Sequence, residues 1–239
     1  MRTQTGQRLI QQGTKTMILK DIFLYPDLIE FSRRKEDLLM VRDQTRHIGN
    51  YLGRRLAELK FQADGFNRIC VVGQTKPQST YVNSAATLSV HIPFDMDECR
   101  SVPRDELSNY YANLLRTGLE KCASEYRIPV DELLSWLQEM KQDGYRNEWT
   151  FKDKLFSSKR IRCRLTCAMD LDKFTLRLTI FSKDTPVLDK IILTTPPDEI
   201  AFHSKFKDVV IEGEHIIVTT RLHGESEEAL FRTLIPLPD

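Results

Sequence analysis

Residues 157–181 read SSKRIRCRLTCAMDLDKFTLRLTIF, and this stretch predicts a β-hairpin whose loop is the DLDK segment. In that register every pair on the inward face is apolar. The inward pairs are Met169 with Phe174, Cys167 with Leu176, Leu165 with Leu178, and Cys163 with Ile180. A slip of one residue would exchange the buried and exposed sets, so the agreement of both faces supports this register.

The outward face of the same hairpin carries a row of guanidinium groups. This arginine row consists of Arg160, Arg162, Arg164 and Arg177. The register places Arg162 beside Phe181, whose ring could stack on a base. The predicted partner-binding residues are therefore the arginine row and Phe181, and the predicted partner is an acidic protein or, as the alternative, a nucleic acid.

Internal charge pairing is the other interpretation of the arginine row. Residues 151–183 hold nine basic and three acidic side chains, a net charge of +6, whereas residues 184–239 hold five basic and eleven acidic ones, a net charge of −6. Opposite charges on neighbouring strands stabilise a sheet by roughly 0.2–1 kcal/mol each. The row could therefore be a solvated sheet face neutralised by the chain itself.

From residue 145 onward the apolar pattern has a period of two. The predicted strands are EWTFKDKLF, RIRCRLTCAM, FTLRLTIF, VLDKIILTT, IAFHSKF, DVVIEG, HIIVTTRL and ALFRTLI. Their connections are too short for helical crossovers, which favours antiparallel pairing. A turn at Gly213 and Glu214 pairs Ile211 with Ile216, and the apolar character of both faces predicts a central hairpin covered on two sides.

The first half reads mostly as helix. Apolar residues recur at steps of three and four over residues 35–61, where Gly49 and Gly53 would let another element approach closely. Further helices are predicted over 103–126 and 129–144, and strands at MILKDIFL, RICVVG and ATLSVHIPF. The expected fold is α+β, with a helix-rich N-terminal part that contains a few strands, followed by a C-terminal antiparallel β-sheet.

Three segments follow from this organisation. Residues 1–16 form a polar leader, residues 17–144 the helix-rich part, and residues 145–239 the sheet part. The last two segments could form two domains or share one core, since 239 residues suffice for either arrangement.

Composition favours a soluble cytoplasmic protein. The formal charge is +1, residues 1–16 lack the apolar segment typical of a secretory signal, and no apolar run approaches the roughly 20 residues of a membrane span. The five cysteines are odd in number and lack the spacing of a zinc site or a disulfide framework. We therefore expect no membrane partner, and neither a metal nor a cofactor.

No familiar catalytic motif occurs in the sequence, which favours a non-enzymatic binding protein. The leading hypothesis is a protein that binds another protein by surface complementarity, for example a bacterial immunity protein or antitoxin that neutralises a toxin. The alternative is a nucleic-acid-binding protein that uses the basic strand face. A third hypothesis is an enzyme with a pocket near His91 or the segment DMDE at 95–98.

Overall fold

The structure is a computed structural model, and it describes residues 15–221 and 229–236. The helices within these residues are α1 (Lys35–Leu59), α2 (Met96–Ser101), α3 (Leu107–Ala123), α4 (Val130–Gln142) and α5 (Glu199–Phe202). The strands are β1 (Thr16–Ile18), β2 (Asp21–Pro26), β3 (Gln62–Asp64), β4 (Arg68–Gln74), β5 (Tyr81–Val82), β6 (Thr87–Pro93), β7 (Asn147–Phe156), β8 (Ile161–Met169), β9 (Phe174–Ser182), β10 (Thr185–Thr195), β11 (Val209–Glu212), β12 (His215–Thr219) and β13 (Ala229–Leu234).

The N-terminal sheet has the strand order β2-β4-β6-β5. Its first three strands are parallel, and β5 is antiparallel to β6. The long helix α1 supplies the crossover that a parallel β2–β4 pair requires. On one face of the sheet α3 packs closely, because a Cβ atom added to Gly118 would lie 2.6 Å from the side chain of Val71.

Helix α1 covers the free edge of β2. Thr45 donates its hydroxyl to the carbonyl oxygen of Leu24 at 2.8 Å, and a Cβ atom on Gly49 would lie only 2.6 Å from the carbonyl oxygen of Ile22. One turn later, a Cβ atom on Gly53 would lie 3.2 Å from the carbonyl oxygen of Lys20. This confirms the prediction that the two glycines permit close approach, and the approaching element is a sheet edge.

The C-terminal strands form two antiparallel sheets of order β10-β9-β8-β7 and β11-β12-β13. The predicted β8–β9 register is confirmed at every pair, from Met169 with Phe174 to Ile180 with Cys163. The Gly213 turn also pairs Ile211 with Ile216 as expected. Only β12 is central and buried on both faces, however, because β11 forms the edge of its sheet.

Two clusters of buried apolar side chains hold the described residues together. The first lies between Leu19 and Met140 in the chain and joins the parallel sheet to α1, α3 and α4. The second lies between Ile161 and Val218 and fills the space between the two antiparallel sheets. Whether the chain forms one or two domains stays a prediction.

The fold is mixed α/β with mostly antiparallel sheets, as predicted, and strands are more numerous than helices in it. Three details of the prediction are wrong. The segment IAFHSKF forms α5 and a turn, because Asp198 caps the helix by accepting the amide of Ile200. The segment MILKDIFL is divided between the strands β1 and β2. Between them, the backbone amide of Leu19 donates to the carbonyl oxygen of Phe61.

The third correction concerns Arg160, which lies outside β8. It follows a single 3₁₀ turn at Ser157–Lys159 and has a φ of 54°, so its side chain is not in register with the outward face of the hairpin. Of the predicted polar leader, residues 1–14 lie outside the described residues, and Thr16 already belongs to β1.

Candidate functional site

The arginine row is largely paired within its own sheet. Arg162 donates to both carboxylate oxygens of Asp153 at 2.6 Å, and Arg164 donates to the same carboxylate at 3.0 Å. On the other side Arg177 lies 2.6 Å from Asp189, which also accepts the hydroxyl of Thr179. These contacts fit the internal-pairing interpretation.

Asp153 comes from β7, so its two ion pairs lie within the +6 segment. Of the three ion pairs that the arginine row forms within the described residues, only that of Arg177 with Asp189 reaches the −6 segment. Hydrogen bonding from Arg162 holds the pKa of Asp153 below its usual value. The guanidinium carbon of Arg164 lies over the ring of Phe181, 5.2 Å from the ring centre. A partner-binding role for these residues stays a prediction.

A long groove runs between α1 and the strand β2, with a volume of about 1150 Å³. We call it the α1 groove. Its aliphatic lining residues include Ile18, Leu28, Leu39, Ala57 and Ile200. Its basic lining residues are Lys20, Lys35, Arg42, Arg46, Arg54, Lys60 and Arg68. Two acidic side chains, Asp21 and Glu199, also line it.

Several aliphatic side chains of the α1 groove face solvent. The exposed fractions are 39% for Ile18, 61% for Leu28, 49% for Leu39 and 84% for Ile200. Exposed aliphatic side chains that gather in one concave surface and have a charged rim are typical of interaction sites. Isolated exposed aliphatic residues, by contrast, are common on any protein surface.

Helix α5 and its cap contact the middle of the groove-lining face of α1. Arg46 lies 3.2 Å from the carboxylate of Glu199, which also accepts the amide of Asn50 at 3.3 Å. Arg42 lies 3.7 Å from Asp198. Burial raises the pKa of Glu199, and the charge of Arg46 opposes that rise.

Farther along α1, Arg54 has neutral partners. Its guanidinium donates to the side-chain oxygens of Asn147 and Asn50, and its central carbon lies 4.4 Å from the ring centre of Trp149. Within residues 15–221 and 229–236 no carboxylate forms an ion pair with it. Burial lowers the pKa of Arg54, because desolvation disfavours its charge.

A separate polar chain lies at the carboxyl ends of the parallel strands. Asp27 accepts the amide of Gln74 at 2.8 Å, and the Gln74 oxygen accepts the backbone amide of Gln78. That oxygen must then accept the Nδ1 proton of His91, which lies 2.8 Å away, so the imidazole is the Nδ1-protonated tautomer. Burial lowers the pKa of His91, and the ring of Tyr81 stacks on it at 5.7 Å.

His91 and the DMDE segment give little support to the enzyme hypothesis. His91 lies under Tyr81 and does not line the α1 groove. The DMDE segment begins α2, with Asp95 accepting the backbone amides of Asp97 and Glu98. In the described part of the chain, no three His, Cys, Asp or Glu side chains are grouped so that they could hold a metal ion.

Sequence reasoning did not identify the α1 groove. The available signal was the set of arginines on α1 that lie off its apolar stripe, at Arg42, Arg46 and Arg54. Comparison with protein-family models, curated proteins and solved structures finds no significant match. Among the described helices, none has the length and apolar character needed to span a membrane.

Proposed function

We propose that this protein binds another protein, and that the α1 groove receives an acidic segment of that partner with aliphatic side chains. The observation that carries the proposal is the combination of four exposed aliphatic side chains with a mostly basic rim in one concave surface. Apolar contacts would supply affinity, and the basic rim would select and steer an acidic partner.

Aliphatic side chains in the groove favour a protein over a nucleic acid. Single-stranded nucleic acids are held by basic grooves in which aromatic rings stack on successive bases. In the α1 groove the ring of Phe23 is already flanked by Arg46 at 5.1 Å and Arg68 at 5.3 Å. Leucine and isoleucine offer no stacking surface, so they fit an apolar side chain better than a base.

The α1 groove is also a better partner site than the arginine row. Three of the four arginines in the row already have a carboxylate within 3.0 Å. An incoming acidic partner would have to compete with these internal pairs, whereas Lys20, Lys35 and Lys60 form no ion pair within the described residues. The arginine row remains a second candidate surface.

The same proposal includes a cytoplasmic location and an immunity-protein or antitoxin role as one instance of partner binding. All five cysteines are free and buried, which suits a reducing compartment. A toxin with an acidic surface segment would be a partner of the proposed kind.

Site-specific photo-crosslinking tests the proposal. A photoreactive phenylalanine analogue replaces Leu39 in the groove or, as the matched control, Leu155, which is 67% exposed and lies outside the groove. In cytosol of the source organism we expect Leu39 to crosslink to one acidic protein and Leu155 to none. Adding Lys35→Glu and Lys60→Glu should abolish the crosslink, because charge reversal repels an acidic segment.

A third variant separates the two surfaces. Replacing Arg160, Arg162 and Arg164 with glutamate should leave the crosslink at Leu39 intact. Loss of the crosslink in this variant, with no loss in the lysine variant, would move the site to the arginine row. Equal labelling from positions 39 and 155 would contradict a partner site in the groove.

A further inference from the structure

Arg54 differs from the other arginines of the α1 groove in the partners it has. Arg42, Arg46 and Arg68 each lie within 4 Å of a carboxylate of the chain, at distances of 2.7, 3.2 and 3.3 Å. Arg54 has only amide oxygens as acceptors within the described residues. A guanidinium has five N–H donors, so several remain free to bind an anion.

Burial makes this unpaired charge costly. Arg54 packs against Trp149, and its Asn147 partner is 2% exposed, so part of the guanidinium is removed from water. A partly buried charge without a counter-ion is destabilising until an anion pairs with it. A ligand that brings a carboxylate to this position would relieve that cost, which raises its affinity.

The chain itself shows which chemistry the groove accepts. At the contact with α5, Asp198 and Glu199 meet Arg42 and Arg46, and the next residue, Ile200, lines the groove. This contact places two carboxylates against α1, with an exposed aliphatic side chain beside them. Arg46 and Arg54 are eight residues apart, about 12 Å along the helix, so a second such contact has room beyond the first.

We infer that Arg54 is the residue by which the α1 groove selects its partner, and that it pairs with an aspartate or glutamate side chain of an amphipathic partner helix. The inference rests on the proposed function and adds the class of the bound segment. An added β-strand is excluded as the binding mode at β2, because α1 covers the outer edge of that strand from Thr45 to Gly53. A helix can instead use its side chains alone.

Trp149 provides a direct readout, because its ring contacts Arg54. The chain contains two tryptophans, so Trp136→Phe leaves Trp149 as the single fluorophore. The probe is a synthetic amphipathic helix of about five turns, with leucines on one face, glutamates beside them and an amidated C-terminus. The comparison probes are the same peptide with glutamine for glutamate, and oleate as a lipid carboxylate.

We expect the acidic peptide to change the Trp149 emission in a saturable way and the glutamine peptide to bind at least about 10-fold more weakly. Arg54→Gln should weaken binding of the acidic peptide by a similar factor, and Arg54→Lys should weaken it less. Arg55→Gln is the matched control, since Arg55 is adjacent but lies 2.8 Å from Glu139 and does not line the groove. It should leave binding unchanged.

The outcomes separate the inference from the proposed function. In one outcome, Leu39→Glu abolishes peptide binding and Arg54→Gln does not. This outcome would overturn the role of Arg54 and leave the groove as the partner site. Oleate binding that depends on Arg54, without peptide binding, would assign the groove to a lipid. Absence of any response to the acidic peptide up to about 1 mM would overturn the inference as well.

Discussion

His47 lies inside the first core with 1% of its surface exposed. Its Nδ1 lies 2.8 Å from the carbonyl oxygen of Gln44, which can only accept, so Nδ1 carries the proton. Its Nε2 then accepts the hydroxyl of Ser108 at 3.2 Å. The neutral imidazole is therefore fully hydrogen-bonded, and burial lowers the pKa of His47 to about 4.

This depressed pKa predicts loss of stability in mild acid. Between the unfolded pKa of 6.5 and the folded pKa of about 4, the unfolded chain binds the proton and the folded chain does not. Unfolding therefore becomes more favourable as the pH falls through that window, by up to roughly 3 kcal/mol at about 1.4 kcal/mol per pH unit. Urea denaturation at a series of pH values measures this slope.

A His47→Gln variant provides the control for the acid effect. Glutamine can donate and accept hydrogen bonds but does not titrate, so its free energy of unfolding should change less between pH 6.5 and pH 4. A slope equal to that of the wild-type protein would assign the acid sensitivity to another group.

Asp153 controls how much charge the arginine row presents. It accepts hydrogen bonds from both Arg162 and Arg164, so Asp153→Asn removes the negative charge that these two arginines share. We expect the variant to elute from heparin at a higher salt concentration than the wild-type protein. Asp172→Asn is the control, because it changes the net charge by the same amount in a loop where Asp172 pairs with Arg104. Elution of both variants at the same salt concentration would contradict the idea that Asp153 neutralises part of the arginine row.

Helix α1 depends on a close approach to the backbone of β2. Gly49→Ala should lower the free energy of unfolding by about 1–3 kcal/mol, because the new Cβ would lie 2.6 Å from the backbone oxygen of Ile22. This loss should outweigh the roughly 1 kcal/mol that alanine contributes to helix stability. Gly53→Ala, with its contact at 3.2 Å, should change stability much less.

Thermal and urea unfolding of both glycine variants measure the difference. Stabilisation of the protein by Gly49→Ala would show that α1 can move away from β2 at low cost.

The elements also differ in how well the sequence predicts them. The β8–β9 register was predictable, because a local pattern of period two defines both faces of the hairpin. The parallel pairing of β4 with β6 was not, since a parallel crossover usually contains a helix, and the connection between these strands contains the short strand β5 instead. The helix α5 was missed because Phe202 and Phe206 are spaced for a helix or a strand alike, and the cap at Asp198 decides between them.

At the scale of the whole molecule, the α1 groove joins residues that are far apart in the chain. Ile18, Leu39 and Ile200 line one surface only after β1, α1 and α5 have packed together. A periodic pattern predicts the face of one element, and it carries no information on which exposed faces adjoin. This is why the arginines of α1 were visible in the sequence while the groove they line was not.

Asn147 connects the two cores at the start of β7. Its amide donates to the backbone carbonyl of His47 at 2.8 Å and to the side chain of Asn50 at 3.1 Å, and its oxygen accepts from Arg54. With 2% of its surface exposed, it satisfies groups of α1 that water cannot reach. The packing of the C-terminal sheets against α1 therefore depends on this side chain.

Asn147→Ala should uncouple the two cores. Trp136 packs on the first cluster and Trp149 on the second, so Trp149→Phe and Trp136→Phe variants each report on one of them. We expect coincident urea transitions with Asn147 and separate ones after Asn147→Ala, because unpaired buried groups cost about 1–3 kcal/mol each at the junction.

Asn83→Ala is the control. It removes the side-chain oxygen that accepts the backbone amides of Ala85 and Thr87, far in the chain from the junction at Asn147, so the two transitions should stay coincident. Coincident transitions in Asn147→Ala would mean that apolar packing alone couples the cores.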